Sequence, residues 1–356
     1  MKLRLDLSLF IGLLLLSSMG LIILYSAANQ NLNMVFAQVI RFGIAFVLML
    51  MLSQIPPYRI KKFAPWFYLF GIVLLLIVLG LGEISKGAQR WLSLGLFRFQ
   101  PSELMKLAVP LMLAWYLSEH ELPPKKSVLF IAFILIMMPA LLTAKEPDLG
   151  TALIIASAGL GVIFLAGLRW STILFCIVLF AICAPFLWHH LHEYQRDRIM
   201  IFLNPESDPL SKGYHIIQSK IAIGSGGIFG KGYLHGTQSH LQFLPEHTTD
   251  FIFAVCGEEL GLMGGLILIG LYAFVIIRGF YISYDAQDTF SRLLAGSISL
   301  TFFFSVFINM GMVTGILPVV GLPLPLVSYG GTSMLTLIAG FGLLMSIQTH
   351  RKLVGT

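Results

Sequence analysis

The sequence predicts an all-α polytopic membrane protein with about ten transmembrane helices. Hydrophobic residues make up 57% of the 356 residues, charged residues make up only 11%, and the mean hydropathy is +0.87. Apolar runs recur along the whole chain, and each is close to the roughly 20 residues that an α-helix needs to cross a bilayer. This composition excludes a water-soluble protein.

The predicted transmembrane helices follow these apolar runs in chain order. The first run is long enough to span a bilayer and has no small-residue cleavage site at its end, so we expect a helix and not a cleaved signal peptide. The fourth begins near Pro101 and Ser102, which are residue types that favour helix starts. The runs place the segments at 8–26, 34–54, 66–82, 103–118, 128–143, 151–166, 171–188, 251–278, 292–316 and 326–348.

The distribution of Lys and Arg predicts the orientation. An even number of spans puts both termini on one side of the membrane. With cytoplasmic termini, the inner segments hold twelve cations and the short outer loops hold four, and an excess of this kind marks the cytoplasmic side. The inner cations are Lys2, Arg4, Arg59, Lys61, Lys62, Lys125, Lys126, Arg169, Arg278, Arg292, Arg351 and Lys352, and the outer ones are Lys86, Arg90, Arg98 and Lys145.

The connection 189–250, between the seventh and eighth predicted helices, is unusually long. At about 60 residues it exceeds the length of loops that simply join two helices. Its apolar and aromatic content argues for order, and the stretch GYHIIQSKIAIGSGG has the periodicity of an amphipathic helix that lies on a membrane surface. We therefore expect a structured, partly helical outer loop within a single domain that covers residues 1–356.

Ionisable residues within predicted spans indicate functional sites, because hydrocarbon disfavours them unless they face a partner or a cavity. Glu103 and Lys106 lie three residues apart on one face of the fourth helix. Two interpretations stay open: a structural ion pair, or a pair that faces the substrate. Gln100 and Ser102, in the same RFQPSE stretch, join them as candidate substrate-binding residues.

Three outer cations, Lys86, Arg90 and Arg98, run against the orientation trend. An anionic lipid headgroup would account for them, since guanidinium groups match phosphate oxygens and helix N-termini supply further donors. Arg196 and Lys220, in the long outer loop, are candidates for the same binding site. The alternative for each is a solvated surface charge.

The stretch LPEHTTDFIFAVCGEELG places four carboxylates around the start of the eighth predicted helix. Asp250 directly precedes the apolar run, where it is either an N-cap or a catalytic group at the water boundary. Glu258 and Glu259 lie about 12 Å deeper, so we expect them to pair with neighbouring helices. Arg41, the lone cation of the second span, is the candidate partner.

The segment GILPVVGLPLPLVSYGGTSM is rich in Pro and Gly and carries no charge. Irregular backbone persists at membrane depth only where it is buried in protein or lines a cavity. Ser328 and Gly330 would offer a ligand a hydroxyl group and a close backbone approach. No metal site is predicted, because neither GSGGIFGKG nor HHLHE has the spacing of a phosphate loop or a zinc motif.

The motifs ISKGAQRW, RFQPSE, EPDLGTA, NPESDPLSKGYHIIQSKIAIGSGGIFGKG, LPEHTTDFIFAVCGEELG and LPLVSYGGTSM occur in this order. Together they resemble the SEDS family (shape, elongation, division and sporulation), over about residues 8 to 352. Thr248 departs from the basic-plus-His arrangement of relatives, which weakens any role for His247. The resemblance maps the essential Asp of the family onto Asp250 and implies a cavity lined by Glu103 and Lys106.

The resemblance also implies the activity. Members are peptidoglycan glycosyltransferases of the bacterial inner membrane, which polymerise lipid II into β-1,4 glycan strands on the periplasmic face during elongation and rod-shape maintenance. The implied partners are lipid II, a class B penicillin-binding protein that acts as transpeptidase, other membrane proteins of the elongation complex and membrane lipids. No nucleic acid is expected.

We expect Asp250 to accept the proton of the acceptor hydroxyl group, while Arg and Lys side chains hold the leaving undecaprenyl pyrophosphate. One direct displacement needs a single carboxylate, unlike the two-carboxylate hydrolases. The sequence requires no cofactor, and whether a divalent cation accompanies the pyrophosphate stays open. The alternatives are a lipid II flippase, which needs polar groups at many membrane depths, and a non-catalytic scaffold of the wall machinery.

Overall fold

Helices that run back and forth between two ends of one bundle make up most of the computed structural model, which describes residues 5–351 except 86–87, 94–97, 205–211, 241–243, 245 and most positions between 169 and 192. The helices are α1 (Leu7–Ala27), α2 (Leu32–Ser53), α3 (Pro57–Leu81), α4 (Pro101–Ser118), α5 (Lys126–Lys145), α6 (Leu149–Leu165), α7 (Glu193–Leu203), α8 (Lys212–Gly226), α9 (Thr237–His240), α10 (Ile252–Tyr284), α11 (Thr289–Thr314) and α12 (Thr332–Thr349).

The predicted class, an all-α polytopic membrane protein, is confirmed. Seven helices of the described chain, α1, α2, α3, α5, α10, α11 and α12, are long and apolar enough to cross a membrane. The shorter α6 is also apolar, and α4 coincides with the fourth predicted segment. The seventh predicted segment, 171–188, lies largely outside the described residues.

Three boundaries differ clearly from the prediction. The third helix begins at Pro57, not at 66, because proline at the first helical position is preset for a helix start. The last helix begins at Thr332, not at 326, because the preceding stretch holds Pro323 and Pro325 and a left-handed residue, Leu326, at φ 62°. The eighth predicted helix continues to Tyr284. Its last turns are apolar enough to remain helical past Arg278.

A small antiparallel sheet, which the sequence did not predict, joins α3 to α4. Its strands are β1 (Glu83–Ser85), β2 (Ala88–Ser93) and β3 (Arg98–Phe99), in the order β1-β2-β3. Ser85 pairs with Ala88, and Leu92 pairs with Phe99. Strand β2 contacts α3 and α4, so this part of the connection lies against the end of the bundle.

Side-chain contacts define the two ends of the bundle. The carboxylate of Asp6, before α1, lies 2.5 Å from the guanidinium of Arg278, near the end of α10. Ser26, at the other end of α1, donates a hydrogen bond of 2.6 Å to Glu259, near the start of α10. We call the end at which α2, α4, α6, α10 and α12 begin the Asp250 end.

α11 lies at the centre of the bundle. In an apolar stretch of 18 residues in α11, 72% of the residues are buried, against 22% in the corresponding stretch of α2. The helix packs against α4, α6, α10 and α12. Small residues allow this close packing, since a methyl carbon on Gly279 would lie 2.3 Å from Ser299 Oγ. Small residues at helix interfaces are typical of membrane bundles.

α10 is broken at Gly261, which adopts φ 64° and ψ −161°, a conformation that is essentially restricted to glycine. The break frees backbone groups, and the glycine-rich loop after α8 pairs with them. The N–H groups of Leu262 and Met263 donate to the carbonyls of Gly227 and Ile228 at 2.9 and 3.1 Å. The GSGGIFGKG motif therefore satisfies the backbone of a broken helix, as buried polar groups require.

Candidate active site

Asp250 lies in a short turn directly before α10. The N–H groups of Thr249 and Phe251 donate to the carbonyl oxygen of Glu246 at 3.1 and 3.2 Å. The N-cap position of α10 is Phe251, which makes no side-chain cap. The alternative that Asp250 is the N-cap is therefore wrong, and its side chain is half-buried.

The segment before α12 fixes the backbone of this turn. Tyr329 N donates to Thr248 O at 2.9 Å, and Ser328 Oγ donates to Thr249 O. Asn309, on α11, donates through one amide nitrogen to Asp250 O at 2.9 Å and to Leu322 O at 2.6 Å. The position of Asp250 is therefore set by two backbone segments and one buried amide.

Gly321 borders the carboxylate of Asp250. A methyl carbon on Gly321 would lie 3.5 Å from Asp250 Oδ2, and the residue has φ 74°. A glycine here leaves space beside the carboxylate.

Ser328 and Gly330, which were predicted to bind substrate, tie the loops together. Ser328 Oγ also accepts a hydrogen bond of 2.7 Å from Leu324 N, and Gly330 N donates to Gln38 Oε1 at 3.4 Å. Gln38 in turn donates to Ser328 O at 3.4 Å. Their direct contact with a substrate stays a prediction.

Glu103 and Lys106 form the predicted pair on α4. Lys106 Nζ lies 2.7 Å from Glu103 Oε1, and only 5% and 6% of the two side chains are exposed. A narrow cavity of about 20 Å³ lies beside Lys106, between α4, α11 and α12. In this conformation the two charged groups pair with each other, and a cavity of this volume has room for about one water molecule.

Gln100 and Ser102 connect the start of α4 to the start of α6. Gln100 Nε2 donates to Asp148 Oδ2 at 2.7 Å and to Ser102 Oγ at 3.0 Å. Asp148 caps α6 through a bond of 3.2 Å from Thr151 N. These contacts build a buried polar network at the Asp250 end.

The described contacts do not gather the predicted cations into one cluster. Arg90 donates to the backbone carbonyls of Glu146 and Pro147, Arg196 donates to His189 O, and exposed Lys220 lies against Gly315 at the end of α11. Lys86 lies outside the described residues, as does the side chain of Arg98. Their joint role at a pyrophosphate stays a prediction.

The prediction of partners on neighbouring helices is confirmed for Glu259, which pairs with α1. It is wrong for Glu258, whose described partners lie in the segment between α8 and α10. Glu258 Oε1 lies 2.7 Å from Lys231 Nζ and accepts from Thr237 N at 2.8 Å. Glu259 accepts from Ser26 on α1 and from Leu234 N at 3.2 Å.

The prediction that Arg41 pairs with these glutamates is wrong for Glu258. The Arg41 guanidinium lies over the ring of Tyr329, 4.5 Å from its centroid, and donates to Gln38 Oε1 at 3.4 Å. Arg41 therefore supports the segment before α12, because a cation over an aromatic face is attracted by the ring.

Four residues near the site had no assigned role in the sequence. Glu146 and Asp148 lie in the EPDLGTA motif and are buried, and burial together with the Asp148 charge raises the pKa of Glu146 to about 8. Asn309 could have been identified from the sequence, because it is a polar residue inside a predicted transmembrane helix. The ring of His215 stacks 6.0 Å from that of Phe251, and desolvation lowers the pKa of His215.

A large apolar groove runs along the outside of α2, α3, α4 and α12. Its volume is about 690 Å³, and it extends from Arg59 at the start of α3 to Phe99 beside the Asp250 end. Between them lie almost only apolar side chains: Leu48, Leu52, Ile55, Ile60, Phe63, Phe67, Leu104, Leu107, Leu111, Leu335, Thr336, Ala339 and Leu343. Such a lining suits a hydrocarbon chain.

Within the described ranges, no group of three or more His, Cys, Asp or Glu side chains is arranged to hold a metal ion.

Comparison with known proteins gives concordant matches. The model of the family FTSW_RODA_SPOVE, described as cell cycle protein, matches residues 1–353. The peptidoglycan glycosyltransferase MrdB of Escherichia coli K12 is 53% identical, over 99% of this chain and 96% of that protein.

Two solved structures share the fold. A chain of a complex described as a peptidoglycan synthase that coordinates polymerization and crosslinking matches with a TM-score of 0.88 at 30% identity, over 99% of this chain and 100% of that one. The rod shape determining protein RodA of Thermus thermophilus, solved as a mutant, matches with a TM-score of 0.75 at 28% identity, over 99% and 100% of the two chains.

Proposed function

We propose that this chain, which belongs to the FTSW_RODA_SPOVE family of cell cycle proteins, carries out glycosyl transfer at the Asp250 end of its helix bundle. It is the family that the sequence motifs indicate. The chain is a peptidoglycan glycosyltransferase, and its substrate is lipid II, whose sugar chains it joins into glycan strands. The observation that carries the location is the fixed, half-buried Asp250 beside Gly321.

Asp250 is the proposed catalytic base. The 4-hydroxyl oxygen of the acceptor sugar attacks the anomeric carbon of the donor, and the carbon–oxygen bond to the pyrophosphate breaks with its electron pair. The hydroxyl proton passes to the Asp250 carboxylate, which must lie within hydrogen-bond reach. Direct displacement inverts the anomeric carbon and needs no second carboxylate.

The leaving pyrophosphate requires positive charge. Among the described cations at this end, Lys220 is exposed on α8, and Arg90 lies beside the start of α6. We propose that the cations of residues 86–98 and Lys220 hold the pyrophosphate. Any divalent cation would be bound to the phosphate groups of the substrate.

The apolar groove is the proposed site of the undecaprenyl tail. At the Asp250 end, the groove ends at Phe99. The next residue, Gln100, donates a hydrogen bond to Asp148 at the start of α6. Within the first turn of α6, a methyl carbon on Gly150 would lie 2.8 Å from Val320 O, and the next residue, Gly321, borders Asp250. A tail in the groove would therefore leave the sugars near the base while its carbon chain stays out of water.

The proposed orientation places both termini in the cytoplasm and the Asp250 end at the periplasmic face of a bacterial inner membrane. The excess of Lys and Arg in the inner segments supports it. Periplasmic glycan synthesis requires the same arrangement, because the polymer is built outside the membrane.

A class B penicillin-binding protein is the proposed partner. The similar chain in the polymerization and crosslinking complex supports this assignment. Other membrane proteins of the elongation complex and rod-shape maintenance belong to the same proposal.

Polymerisation of labelled lipid II in detergent tests the function. We expect the full chain, purified with its transpeptidase, to form polymer without any sealed membrane, which a flippase cannot do. Asp250→Asn should abolish polymer, whereas the matched control Asp285→Asn, at the opposite end of α10, should not. Near-normal polymer from a folded Asp250→Asn variant would refute the base assignment.

A further inference from the structure

Glu146 is a buried carboxyl group that the proposed mechanism does not use. It directly follows α5 in the turn to α6, and none of its side chain is exposed. Neither carboxyl oxygen has a hydrogen-bond partner among the residues that the structure describes. A buried ionised carboxylate without hydrogen bonds is strongly disfavoured, and such a group keeps its proton instead.

The charged groups around Glu146 reinforce this state. Asp148, two residues on, brings a carboxylate close enough to disfavour a second negative charge. Arg90, on β2, is the cation that acts on Glu146, but it donates to backbone carbonyls of the turn. On α4 the charges of Glu103 and Lys106 neutralise each other at 2.7 Å, and Lys145 is exposed.

The turn that contains Glu146 supports the segment beside Asp250. Asp148 holds Gln100 on α4, and α6 begins so close to the segment before α12 that a methyl carbon on Gly150 would lie 2.8 Å from Val320 O. The next residue, Gly321, borders the Asp250 carboxylate. Two successive contacts, Gly150 with Val320 and Gly321 with the Asp250 carboxylate, therefore connect this turn to the base.

We propose that Glu146 is a positioning residue: as an uncharged carboxylic acid it keeps the α5–α6 turn packed under the segment that borders Asp250. This inference rests on the proposed role of Asp250. Ionisation would place two negative charges in one buried turn and push the turn away from Val320. The glycosyl transfer step would then slow without any loss of the base itself.

The direction of the pH effect follows from the protonation of Glu146. Burial, with a contribution from Asp148, raises its pKa to about 8, while Arg90 lowers it. The neutral form is present below that pH and is lost as the pH rises through it. Between pH 7 and 9 the neutral fraction falls by about tenfold, so the wild-type chain should lose turnover over this range.

Two variants separate the effect of the Glu146 proton from the effect of the side chain's size. Glu146→Gln keeps the size and is neutral at every pH, whereas Glu146→Ala removes the group. Glu121→Gln is the matched control, because Glu121 is exposed at the far end of the bundle. Each full chain, in complex with its transpeptidase, is assayed for lipid II polymerisation from pH 6 to 9.5, and its thermal midpoint is measured over the same range.

We expect Glu146→Gln to keep turnover at pH 7 and to lose the decline towards pH 9, while Glu121→Gln declines like the wild type. The infrared carbonyl stretch of a protonated carboxyl group should be present in the wild type at pH 7 and absent from Glu146→Gln. The thermal midpoint of Glu146→Gln should rise relative to the wild type as the pH increases from 6 to 8.

A Glu146→Gln chain that declines with pH as the wild type does, or a constant midpoint difference across the range, would overturn the proposal. Loss of turnover at pH 7 in a folded Glu146→Gln chain would do so too, because it would mean that the charge is needed. The midpoint and infrared measurements do not depend on turnover. An inactive wild type would therefore contradict the proposed function, whereas the midpoint and infrared measurements would still test whether Glu146 is protonated.

Discussion

At the scale of single residues, the site depends on side chains that hold one another. Asn309 binds the backbone of Asp250 and of Leu322 with one amide group, and Ser328 links the Asp250 turn to the segment before α12. A buried amide or hydroxyl group that serves two loops at once leaves unsatisfied partners when it is removed. The position of Asp250 therefore depends on residues that do no chemistry.

Lys106→Ala should be strongly destabilising. It would leave the buried Glu103 carboxylate without its partner, which costs about 3–5 kcal/mol in comparable pairs. We also expect weaker lipid II binding, from the predicted role of the pair. The measurements are thermal unfolding in detergent and lipid II affinity.

The double variant Glu103→Gln/Lys106→Met is the control for Lys106→Ala. Two neutral side chains of similar size should recover most of the stability but not the affinity. Recovery of both would show that the pair is only structural and that neither residue contacts the substrate.

At the scale of elements, the break in α10 explains two stretches that the sequence left unconnected. The glycine-rich loop supplies carbonyls to Leu262 and Met263, and Lys231 N and Gly232 N donate in return to the carbonyls of Glu258 and Glu259. The helix and the loop thus complete each other's backbone hydrogen bonds. This junction fixes the start of α10, and with it the turn that carries Asp250.

Gly261→Ala should destabilise the protein by more than about 2 kcal/mol, since alanine is strained at positive φ. Its methyl carbon would also lie 2.3 Å from Gly230 N. Gly270→Ala, in the same helix with nothing within 4 Å, should change stability by less than about 1 kcal/mol. Equal thermal midpoints for the two variants would contradict the role of the break.

The sequence predicted the spans well and their irregular ends poorly. Apolar length locates a helix because the bilayer requires it, and this placed α1–α6 and α10–α12. It did not reveal β2, because a short strand depends on pairing with other segments. Nor did it reveal that the Glu146 carboxyl group has no hydrogen-bond partner among the described residues, because this depends on contacts between distant segments. For the same reason Lys231, and not Arg41, is the partner of Glu258.

At the scale of the whole molecule, the proposed function uses two environments, the Asp250 end and the apolar groove, for one substrate. The sugars and pyrophosphate of lipid II require water and charge, whereas its tail requires hydrocarbon. Phe99 ends the groove next to the polar network of Gln100 and Asp148. The boundary between the two environments coincides with the start of α4.

Ala339→Phe should narrow the groove, because Ala339 lines its wall on α12. We expect the KM for full-length lipid II to rise by about tenfold, which corresponds to about 1.4 kcal/mol. A lipid II analogue with a short tail should keep its KM, since it does not fill the groove. An equal effect on both substrates would place the tail elsewhere.

The most direct test of the central claim separates the chemistry of Asp250 from binding. Lipid II affinity and single-turnover rate are measured for the wild type and for Asp250→Asn, each in complex with the transpeptidase. A catalytic base predicts an affinity within about threefold of the wild type and a rate lower by about 100-fold or more. A variant that loses affinity while its bound substrate still reacts at the wild-type rate would contradict the account.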